Sequence, residues 1–486
     1  MATDPASSNS VSHTLLPQAA PTPLSWRLGL AGGIVLIACA AYLLRDWIGL
    51  RGQSVAGVLC FFGFVAVFSR NLRAVNWRTI VWGMSLQIIL AILVLKVPIV
   101  MQGLEAVTSV VRKFIDFSDK GAEFVFGNLA RPGDVALKPG AEFLFMFAFK
   151  ALPPILFISA FFTVLYHFGI LQWCVKQMAR VMVFLMGTSG AETLSVAANV
   201  FMGQTEAPLI VKPYVPRMTN SELFTLMVSG MAHISGGMMV VYINYGADPV
   251  AVLTTCVMAC PCSLYLAKLF MPETSVPETS GTVQAAETKS PYVNAIDAAA
   301  SGTGDGLRLA LNVGAMLIVF IAFVAMFDAV LGAVKPGLLA VGLSKESLTW
   351  WPDDLSLRKI FGWLFSPAAF LMGVESSDVN QVGSLLGSKL AINEHYAYLD
   401  MKKLLAVVDP ETKAVIKPGV ISERSLKLTA FALTGFANFA SIGIQLGGIG
   451  ALAPERRKDL ARLGGRALFV GFVATLLNAA IAGVIM

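Results

Sequence analysis

The chain has 486 residues, is 56% hydrophobic and only 14% charged, and has a mean hydropathy of +0.71. Its repeated apolar stretches are long enough to cross a hydrocarbon core of roughly 30 Å, so the composition excludes an ordinary soluble protein and indicates a polytopic membrane protein. The formal charge of +6 is spread over short connections, which argues against a nucleic-acid-binding surface. Six cysteines lie in or beside apolar segments, where no disulfide framework is expected.

The N-terminal part of the chain combines a polar tail, apolar spans and an amphipathic segment. Residues 1–25 are polar and lack the basic start of a secretory signal, which predicts a disordered tail. Between residues 100 and 130, apolar residues recur at helical spacing among charged ones, which predicts an amphipathic helix along the membrane interface. Basic residues flank the third span on both sides, so the positive-inside rule leaves the orientation open. Over the whole chain, apolar spans are predicted near 28–44, 54–69, 79–95, 143–168, 221–244, 248–269, 307–332, 426–452 and 465–485.

Two further segments, 181–215 and 359–394, are apolar but interrupted by glycine, proline and polar residues. Each has an apolar arm, a polar turn (GTSGAE or GVESSD) and a second arm that ends at a polar break. Irregular backbone at membrane depth is tolerated only where protein or a water-filled cavity satisfies its polar groups. Both segments are therefore predicted to be re-entrant hairpins that line a site. The acidic residues of the two turns are predicted to be solvated: Glu192, Glu375 and Asp378.

Each hairpin ends in a glutamate, Glu206 in the first and Glu394 in the second. Paired interrupted segments in corresponding halves point to a binding site near the membrane midplane. A charged side chain at a helix centre costs roughly 2.5–3.5 kcal/mol, so both acids are expected to face a wet cavity. Gln204 and Thr205 add neutral donors and acceptors, and Gly203 leaves backbone N–H groups accessible. This chemistry favours a ligand rich in hydroxyl and amide groups over a bare ion.

A third polar cluster lies in GFANFASIG (435–443), within the apolar span 426–452. Phe436, Asn438 and Ser441 are predicted to lie inside an otherwise apolar helix. Asn438 and Ser441 are three residues apart and would share one face of that helix.

The sequence resembles the concentrative nucleoside transporters. The resemblance runs from about residue 70 to the C-terminus and rests on four motifs in the family's order. These motifs are NWRTIVWGMSLQIILAILVLK, SVAANVFMGQTEAPLIVKPY, GSKLAINE and FANFASIGIQLGGIGALAPERR. The resemblance implies a secondary active transporter that imports nucleosides across the cell inner membrane with a cation, by elevator-type alternating access. It also implies a homotrimer in the lipid bilayer, nucleosides of the uridine, cytidine and adenosine class as substrates, and no enzymatic activity.

The fold implied is an all-α polytopic membrane protein. It has about eight transmembrane helices, two re-entrant helical hairpins and an interfacial helix, with an inverted-repeat transport domain on a trimerisation scaffold. The chain is then predicted to divide into a disordered tail (1–25), scaffold transmembrane helices (26–99), an interfacial amphipathic helix (100–130), a first transport half (140–270) with its hairpin (181–210), a polar linker (271–305), a scaffold helix (306–333) and a second transport half (355–486) with its hairpin (359–390).

The resemblance also assigns substrate-binding residues. The group implied to recognise the nucleobase is Gly203, Gln204, Thr205 and Glu206, with Met238 against the base. The group implied to bind the ribose hydroxyls is Glu394, Asn438 and Ser441, with Phe436 packing on the ligand. A carboxylate suits this task because it can accept from two vicinal hydroxyls in charge-assisted hydrogen bonds. His395 stands where the family usually has phenylalanine.

The sequence leaves two readings of the coupling cation open, because one ligand position differs. Sodium-dependent members hold the ion with Asn199, the Met202 carbonyl, a hydroxyl at position 233 and the Ile234 carbonyl, but this chain has His233. Sodium prefers oxygen ligands, whereas histidine titrates in the physiological range. The interpretation favours a Na+ site and leaves H+ coupling open. No other cofactor is expected.

Two other classes compete with a carrier. The Cys-Pro-Cys segment in CVMACPC (256–262) resembles the thiolate sites of soft-metal pumps, but such pumps require large soluble domains that this chain lacks. A passive nucleoside channel is disfavoured because the acids and amides form a compact cluster and not a ring along a pore. GTSGAE and SGTGDG lack the lysine of a phosphate-binding loop, and no nucleophile and base pair suggests catalysis.

Overall fold

The helical elements follow the predicted apolar segments closely. The computed structural model describes residues 16–17, 19–127, 149, 152–283, 292–342, 344, 352, 355–405, 407–408, 415–417 and 419–486. The α-helices of these residues are, in chain order, α1 (Leu24–Leu43), α2 (Arg45–Val67), α3 (Trp77–Lys96), α4 (Pro98–Phe126), α5 (Leu152–His167), α6 (Ile170–Met186), α7 (Gly190–Ala198), α8 (Asn220–Ala232), α9 (Gly236–Asn244), α10 (Pro249–Phe270), α11 (Ala295–Ala340), α12 (Leu357–Leu371), α13 (Val379–Ala391), α14 (Glu394–Lys402), α15 (Glu423–Leu433), α16 (Phe439–Leu452) and α17 (Arg457–Ile485). Two short antiparallel strands, β1 (Val407–Val408) and β2 (Val415–Lys417), connect α14 to α15.

The number of membrane-crossing helices agrees with the prediction. Among the described residues, seven helical segments are long and apolar enough to span a membrane. The pair α5 and α6, bent by 75°, makes an eighth if it is counted as one span. The multi-pass all-α fold is therefore confirmed. Helix α4 occupies most of the predicted amphipathic segment, of which residues 128–130 lie outside the described residues.

Helix breaks interrupt the predicted apolar spans 221–244 and 426–452, and the prediction that Asn438 and Ser441 lie inside a helix was wrong. The first is divided into α8 and α9, and Ser235 caps α9 by accepting from the Met238 N–H at 3.4 Å. The second is divided into α15 and α16, and Asn438 caps α16 by accepting from the Ser441 N–H at 2.9 Å. Asn438 and Ser441 therefore lie at the start of a helix and not inside one. A capping side chain replaces the intrahelical partner that a backbone N–H lacks at such an end.

Each half of the chain contains a hairpin of short helices. Helix α12 packs along α13, joined at GVESSD, where Gly373 adopts a φ of +82°. These helices have 15 and 13 residues, or about 20–23 Å, which is shorter than a hydrocarbon core of roughly 30 Å. The chain then reverses again, and α14 packs against α13. The first half is organised alike, because α6 packs on α7 and α7 packs on the 3₁₀ turn Ala207–Val211.

The second reversal in each half carries the polar residues, and we call these reversals the first tip (199–206) and the second tip (392–394). The sequence predicted them only as the ends of hairpin arms. The second tip lies inside the helical core, where Glu394 is only 5% exposed, whereas Glu206 at the end of the first tip is exposed.

The prediction that the acidic residues of the two turns are solvated was wrong for Glu192 and Asp378. Glu192 is fully buried, accepts from the Ser189 N–H at 3.0 Å and pairs with the Lys268 ammonium at 2.8 Å. Asp378 is 5% exposed and accepts from the Ser422 N–H at 3.0 Å. Both carboxylates satisfy backbone donors at the buried end of a helix, which local polarity does not reveal.

The predicted polar linker 271–305 is shorter than expected. Residues 271–283 pack on the start of α7, where the Gly190 N–H donates to the Thr279 carbonyl at 2.9 Å and Ser189 forms a bridge with Ser280. Residues 284–291 lie outside the described residues. Helix α11 begins at Ala295, within the predicted linker and before the predicted scaffold helix at 306.

Burial divides the helices into two groups. The α8–α9 span, α10 and α17 have 89%, 83% and 83% of their most apolar windows buried, whereas the values for α1 and α11 are only 6%. The buried group forms the core that carries both tips, and the exposed group presents apolar side chains outward, as helices in lipid do. The division into scaffold and transport domains stays a prediction.

Candidate functional site

The two broken helices meet each other at their breaks. The Phe436 N–H donates to the His233 carbonyl at 3.0 Å. Gly435 has a φ of +147°, and a Cβ there would lie 3.0 Å from the Ala232 carbonyl oxygen, so only glycine suits this contact. The residues after each break are thereby held side by side in the core.

Of the two glutamates of the site, Glu394 receives more hydrogen bonds from other parts of the chain. It is the first residue of α14, which Asn393 caps. One carboxylate oxygen accepts from the Asn438 side-chain amide at 2.8 Å, and the other accepts from the Tyr242 hydroxyl at 2.9 Å. The structure thus brings Glu394 and Asn438 together, as the resemblance implied. Tyr242 was not predicted from the sequence. The one sequence feature that could have indicated it is a hydroxyl within an apolar run.

His395 extends this network on the side of α9. Its Nδ1 atom lies 3.1 Å from the Tyr242 oxygen. Because the single Tyr242 hydroxyl proton is donated to Glu394, the Tyr242 oxygen accepts from Nδ1–H of His395. His395 Nε2 is then an acceptor, and it is buried without a hydrogen-bond partner among the described residues. Tyr242 also stacks on Tyr398 with ring centroids 4.4 Å apart, which fixes its orientation.

The first tip contacts the start of α16 through Gln204. The Gln204 amide nitrogen donates to the Ser441 hydroxyl at 3.2 Å. The Gln204 side-chain oxygen is buried and has no partner among the described residues. Gly230 makes room for this residue, because a Cβ at Gly230 would lie 2.9 Å from the Gln204 Cβ. Thr205 is half-buried and lies directly against Gly448.

Glu206 differs from Glu394 in its surroundings. Its side chain is exposed, and one carboxylate oxygen accepts from the Gly203 N–H at 3.0 Å within the same tip. Met238 is 2% exposed in the first turn of α9, and Phe436 is half-buried beside the break of the second broken helix. The structure therefore places Gln204 and Ser441 in contact and Glu394 and Asn438 in contact, while Glu206 stays on the open side of its tip.

The residues implied for the cation lie where α7 ends against the last turn of α8. Asn199 donates from its side-chain amide to the Ser229 hydroxyl at 3.0 Å and to the Ser195 carbonyl at 3.2 Å. Its side-chain oxygen is buried without a partner among the described residues. Ile234 is fully buried at the break, and Met202 is half-buried in the tip.

His233 borders this group of residues, because its Nδ1 atom lies 3.4 Å from the Ser229 hydroxyl that accepts from Asn199. Its Nδ1 atom lies 2.9 Å from the Ser229 carbonyl, and its Nε2 atom lies 3.4 Å from the Cys260 sulfur on α10. A carbonyl only accepts, so Nδ1 carries the proton and Nε2 accepts from the Cys260 thiol. Both ring nitrogens therefore have partners other than the Asn199 side chain.

The three cysteines of CVMACPC are buried free thiols. Cys260 contacts His233, and Cys262 lies 3.7 Å from the Ala474 carbonyl of α17. In the described part of the chain, no group of three or more His, Cys, Asp or Glu side chains is arranged to hold a metal ion. These thiols pack helices together.

Comparison with known proteins assigns the family. The family described as "Na+ dependent nucleoside transporter C-terminus" matches residues 251–483, its N-terminal counterpart matches 56–129, and a domain described as "Nucleoside recognition" matches 148–248. Sodium/nucleoside cotransporter 1 of Homo sapiens is 36% identical over 485 residues, covering 97% of this chain and 70% of the relative. The chain belongs to the concentrative nucleoside transporter family. An uncharacterized transporter of Haemophilus influenzae is 39% identical over 432 residues, covering 89% of this chain and 97% of that protein.

Solved structures of this family have the same fold. The structure of CNTnw in an inward-facing substrate-bound state is 36% identical and has a TM-score of 0.80 over 90% of this chain and 98% of that chain. A variant of CNTnw in an outward-facing state has a TM-score of 0.81, with the same identity and coverage. The family consists of transporters, so the prediction that the chain is not an enzyme is confirmed, and a soft-metal pump is not favoured.

Proposed function

We propose that this chain is a secondary active transporter that imports nucleosides together with Na+ by alternating access. Membership of a family of Na+-dependent nucleoside transporters supports this, as does similarity to structures in inward-facing and outward-facing states. The observation that carries the proposal is the Glu394 carboxylate, which two neutral donors hold where the two broken helices meet.

Glu394 binds the ribose in this proposal. An ionised carboxylate has about four acceptor positions, and Tyr242 and Asn438 occupy two of them. The remaining positions suit the two vicinal hydroxyls of a ribose, which donate charge-assisted hydrogen bonds. Because the protein donors are already in place, the carboxylate needs no reorganisation when the sugar arrives. Asn438 and Ser441 stand beside it at the start of α16, and Phe436 packs on the ligand.

The nucleobase binds at the first tip. Gln204 has a buried oxygen without a protein partner, which would accept from an amino or imino group of a base. Glu206 and Thr205 contribute further acceptors on the open side, with the backbone at Gly203 and the side chain of Met238 beside them. Amides and hydroxyls both accept and donate, so this tip suits purine and pyrimidine nucleosides of the uridine, cytidine and adenosine class.

The coupling cation is Na+, held at the end of α7 and not by the His233 ring. Asn199 offers a buried side-chain oxygen without a protein partner, and the Ser229 hydroxyl lies 3.0 Å from the same amide group. Ser229 is one helical turn before His233, so it supplies the hydroxyl that family members have at position 233. The carbonyls of Met202 and Ile234 complete an oxygen set. Since both His233 nitrogens have other partners, proton coupling at that ring is the weaker alternative.

The moving unit is the buried core that carries both tips, and it slides as an elevator against a homotrimeric scaffold in the cell inner membrane. The exposed apolar faces of α1 and α11 suit contacts with lipid or with neighbouring copies. Short hairpins that do not span the bilayer suit a unit in which the site itself changes sides.

Reconstituted vesicles test this function directly. Purified protein is reconstituted, and uptake of labelled uridine, cytidine and adenosine is measured under an imposed Na+ gradient and then under an imposed proton gradient. We expect concentrative uptake driven by Na+ and abolished by a Na+ ionophore. Uptake that only equilibrates would indicate a channel, and concentrative uptake driven by the proton gradient alone would assign the coupling to H+.

A further inference from the structure

Lys389 is a fully buried lysine on α13, five residues before Glu394. Its ammonium donates to the Ala432 carbonyl at 2.7 Å and to the Thr475 hydroxyl at 2.9 Å, and it lies 5.6 Å from the ring centroid of Phe472. No carboxylate of a described residue lies within 4.0 Å of this ammonium. A buried ammonium without a carboxylate in contact is costly to desolvate, and the carbonyl, the hydroxyl and the aromatic ring around Lys389 are groups that stabilise a cation.

The partners of Lys389 are at the end of a broken helix. Ala432 belongs to the last turn of α15, which stops at Leu433 in the core. The last four carbonyls of a helix have no intrahelical partner and together carry a negative partial charge. At a surface, water would solvate these carbonyls, but here the ammonium of Lys389 does so. The lysine thus takes the role of a bound cation at the α15 terminus.

The corresponding place in the first half has no such built-in cation. Both halves run from a hairpin helix through a tip and a connecting segment to a broken helix and a long helix. In the first half the hairpin helix α7 meets the last turn of α8 through Asn199 and Ser229, where the Asn199 oxygen is left without a partner. In the second half α13 meets the last turn of α15 through Lys389. A lysine side chain thus contacts the last turn of α15, as the Asn199 side chain contacts the last turn of α8.

We propose that Lys389 is a permanent internal cation that positions the nucleoside site. It fixes the end of α15, and with it the break that carries Phe436 and Asn438, while α13 leads directly into the second tip with Glu394. The second half is therefore always loaded with a cation, and only the first half waits for one from solution. The assignment of the exchangeable cation rests on the proposed function, whereas the role of Lys389 at α15 rests on its own contacts.

Replacing the ammonium tests this role. Lys389→Gln removes the charge and leaves space beside the Ala432 carbonyl, and Lys389→Arg is the matched control that keeps the charge. Binding of labelled uridine to the purified protein is measured over a series of Na+ concentrations with choline as the balancing ion. We expect Lys389→Gln to bind uridine about tenfold more weakly at low Na+, to depend more steeply on Na+ than the wild type, and to recover at high Na+. Lys389→Arg should keep the wild-type steepness.

The proposal is overturned if Lys389→Gln weakens uridine binding by one factor at every Na+ concentration, because a merely structural lysine gives that result. Steepening in the arginine control as well would overturn it. If Lys389→Gln does not fold, as judged by thermal melting, Thr475→Val decides the question, since it removes one ligand of the ammonium and should give a weaker steepening. If the wild type binds uridine without Na+, the Na+ coupling is wrong, and a Na+ requirement that appears only in Lys389→Gln still supports the internal cation.

Discussion

The two tips of this transporter differ in how many of their buried polar groups have a hydrogen-bond partner within the protein. At the second tip, Glu394 receives two hydrogen bonds, and the nearby Lys389 ammonium has two oxygen partners. At the first tip, the side-chain oxygens of Asn199 and Gln204 are buried without partners among the described residues. Buried acceptors without a partner are costly unless a ligand completes them. The hydrogen bonds to Glu394 are therefore already formed at the second tip, whereas we propose that the ligand and the cation supply the missing partners of Asn199 and Gln204 at the first tip.

The largest expected effect concerns the second tip. Glu394→Gln keeps the shape of the side chain but removes the charge that strengthens hydrogen bonds from the ribose, each worth about 1.5–3 kcal/mol. We expect nucleoside uptake in vesicles to fall by about 100-fold or more, with an unchanged thermal melting profile. Glu375→Gln, in the hairpin turn, is the matched control and should transport normally. Unchanged uptake in Glu394→Gln would remove the ribose assignment.

The next effect concerns the first tip. Ser229→Ala removes the hydroxyl that is proposed to replace the one at position 233. We expect the Na+ concentration for half-maximal uptake to rise by about tenfold, because one oxygen ligand of the ion is lost. The nucleoside affinity at saturating Na+ should change little. Thr225→Val, one turn earlier on α8, is a suitable control because, among the described residues, the Thr225 hydroxyl bonds only to the Ser221 carbonyl. An equal effect in both variants would contradict the assignment.

An effect of similar size is expected from the loss of the neutral donor to Glu394. Tyr242→Phe removes the hydroxyl that holds one carboxylate oxygen and breaks its contact with His395. We expect about a tenfold loss of nucleoside affinity, measured by binding at saturating Na+, with the Na+ dependence retained. His395→Phe should lose less, since His395 Nδ1 lies 3.7 Å from the Glu394 carboxylate oxygen, whereas the Tyr242 hydroxyl donates to it at 2.9 Å. A larger loss in His395→Phe than in Tyr242→Phe would show that the imidazole contacts the substrate itself.

The smallest effect should come from His233→Ser. This substitution restores a hydroxyl at the position where family members have one, and it removes a ring that points at Cys260. We expect Na+-dependent uptake to be preserved or strengthened by a few-fold. Uptake under Na+ and proton gradients is the measurement. Loss of all transport in a folded variant would argue that the imidazole carries the coupled proton.

The candidate site residues could be predicted from the sequence, but their hydrogen-bond partners could not. The polar cluster around Gln204, the paired glutamates and the Asn438 cluster stand out because polar groups are rare in apolar segments, and the structure brings two pairs of them into contact. Tyr242 and Lys389 were not singled out, although each binds at the heart of the core. A single hydroxyl or ammonium in a long apolar run gives no local sign of which distant residue it meets.

The sequence by itself determined that the chain lies in a lipid bilayer, that it is all-helical and where its apolar segments are interrupted. These properties depend on hydropathy and helix-breaking residues, which act locally along the chain. Only the tertiary structure decided where the long spans break, which acids are buried and which donors hold them. Tyr242 and Glu394 are 152 residues apart in the chain, and Gln204 and Ser441 are 237 apart. Such pairings depend on how whole helices pack against one another. Helix packing brings together one pair of polar side chains among many of similar polarity. The local sequence pattern does not indicate which pair this is.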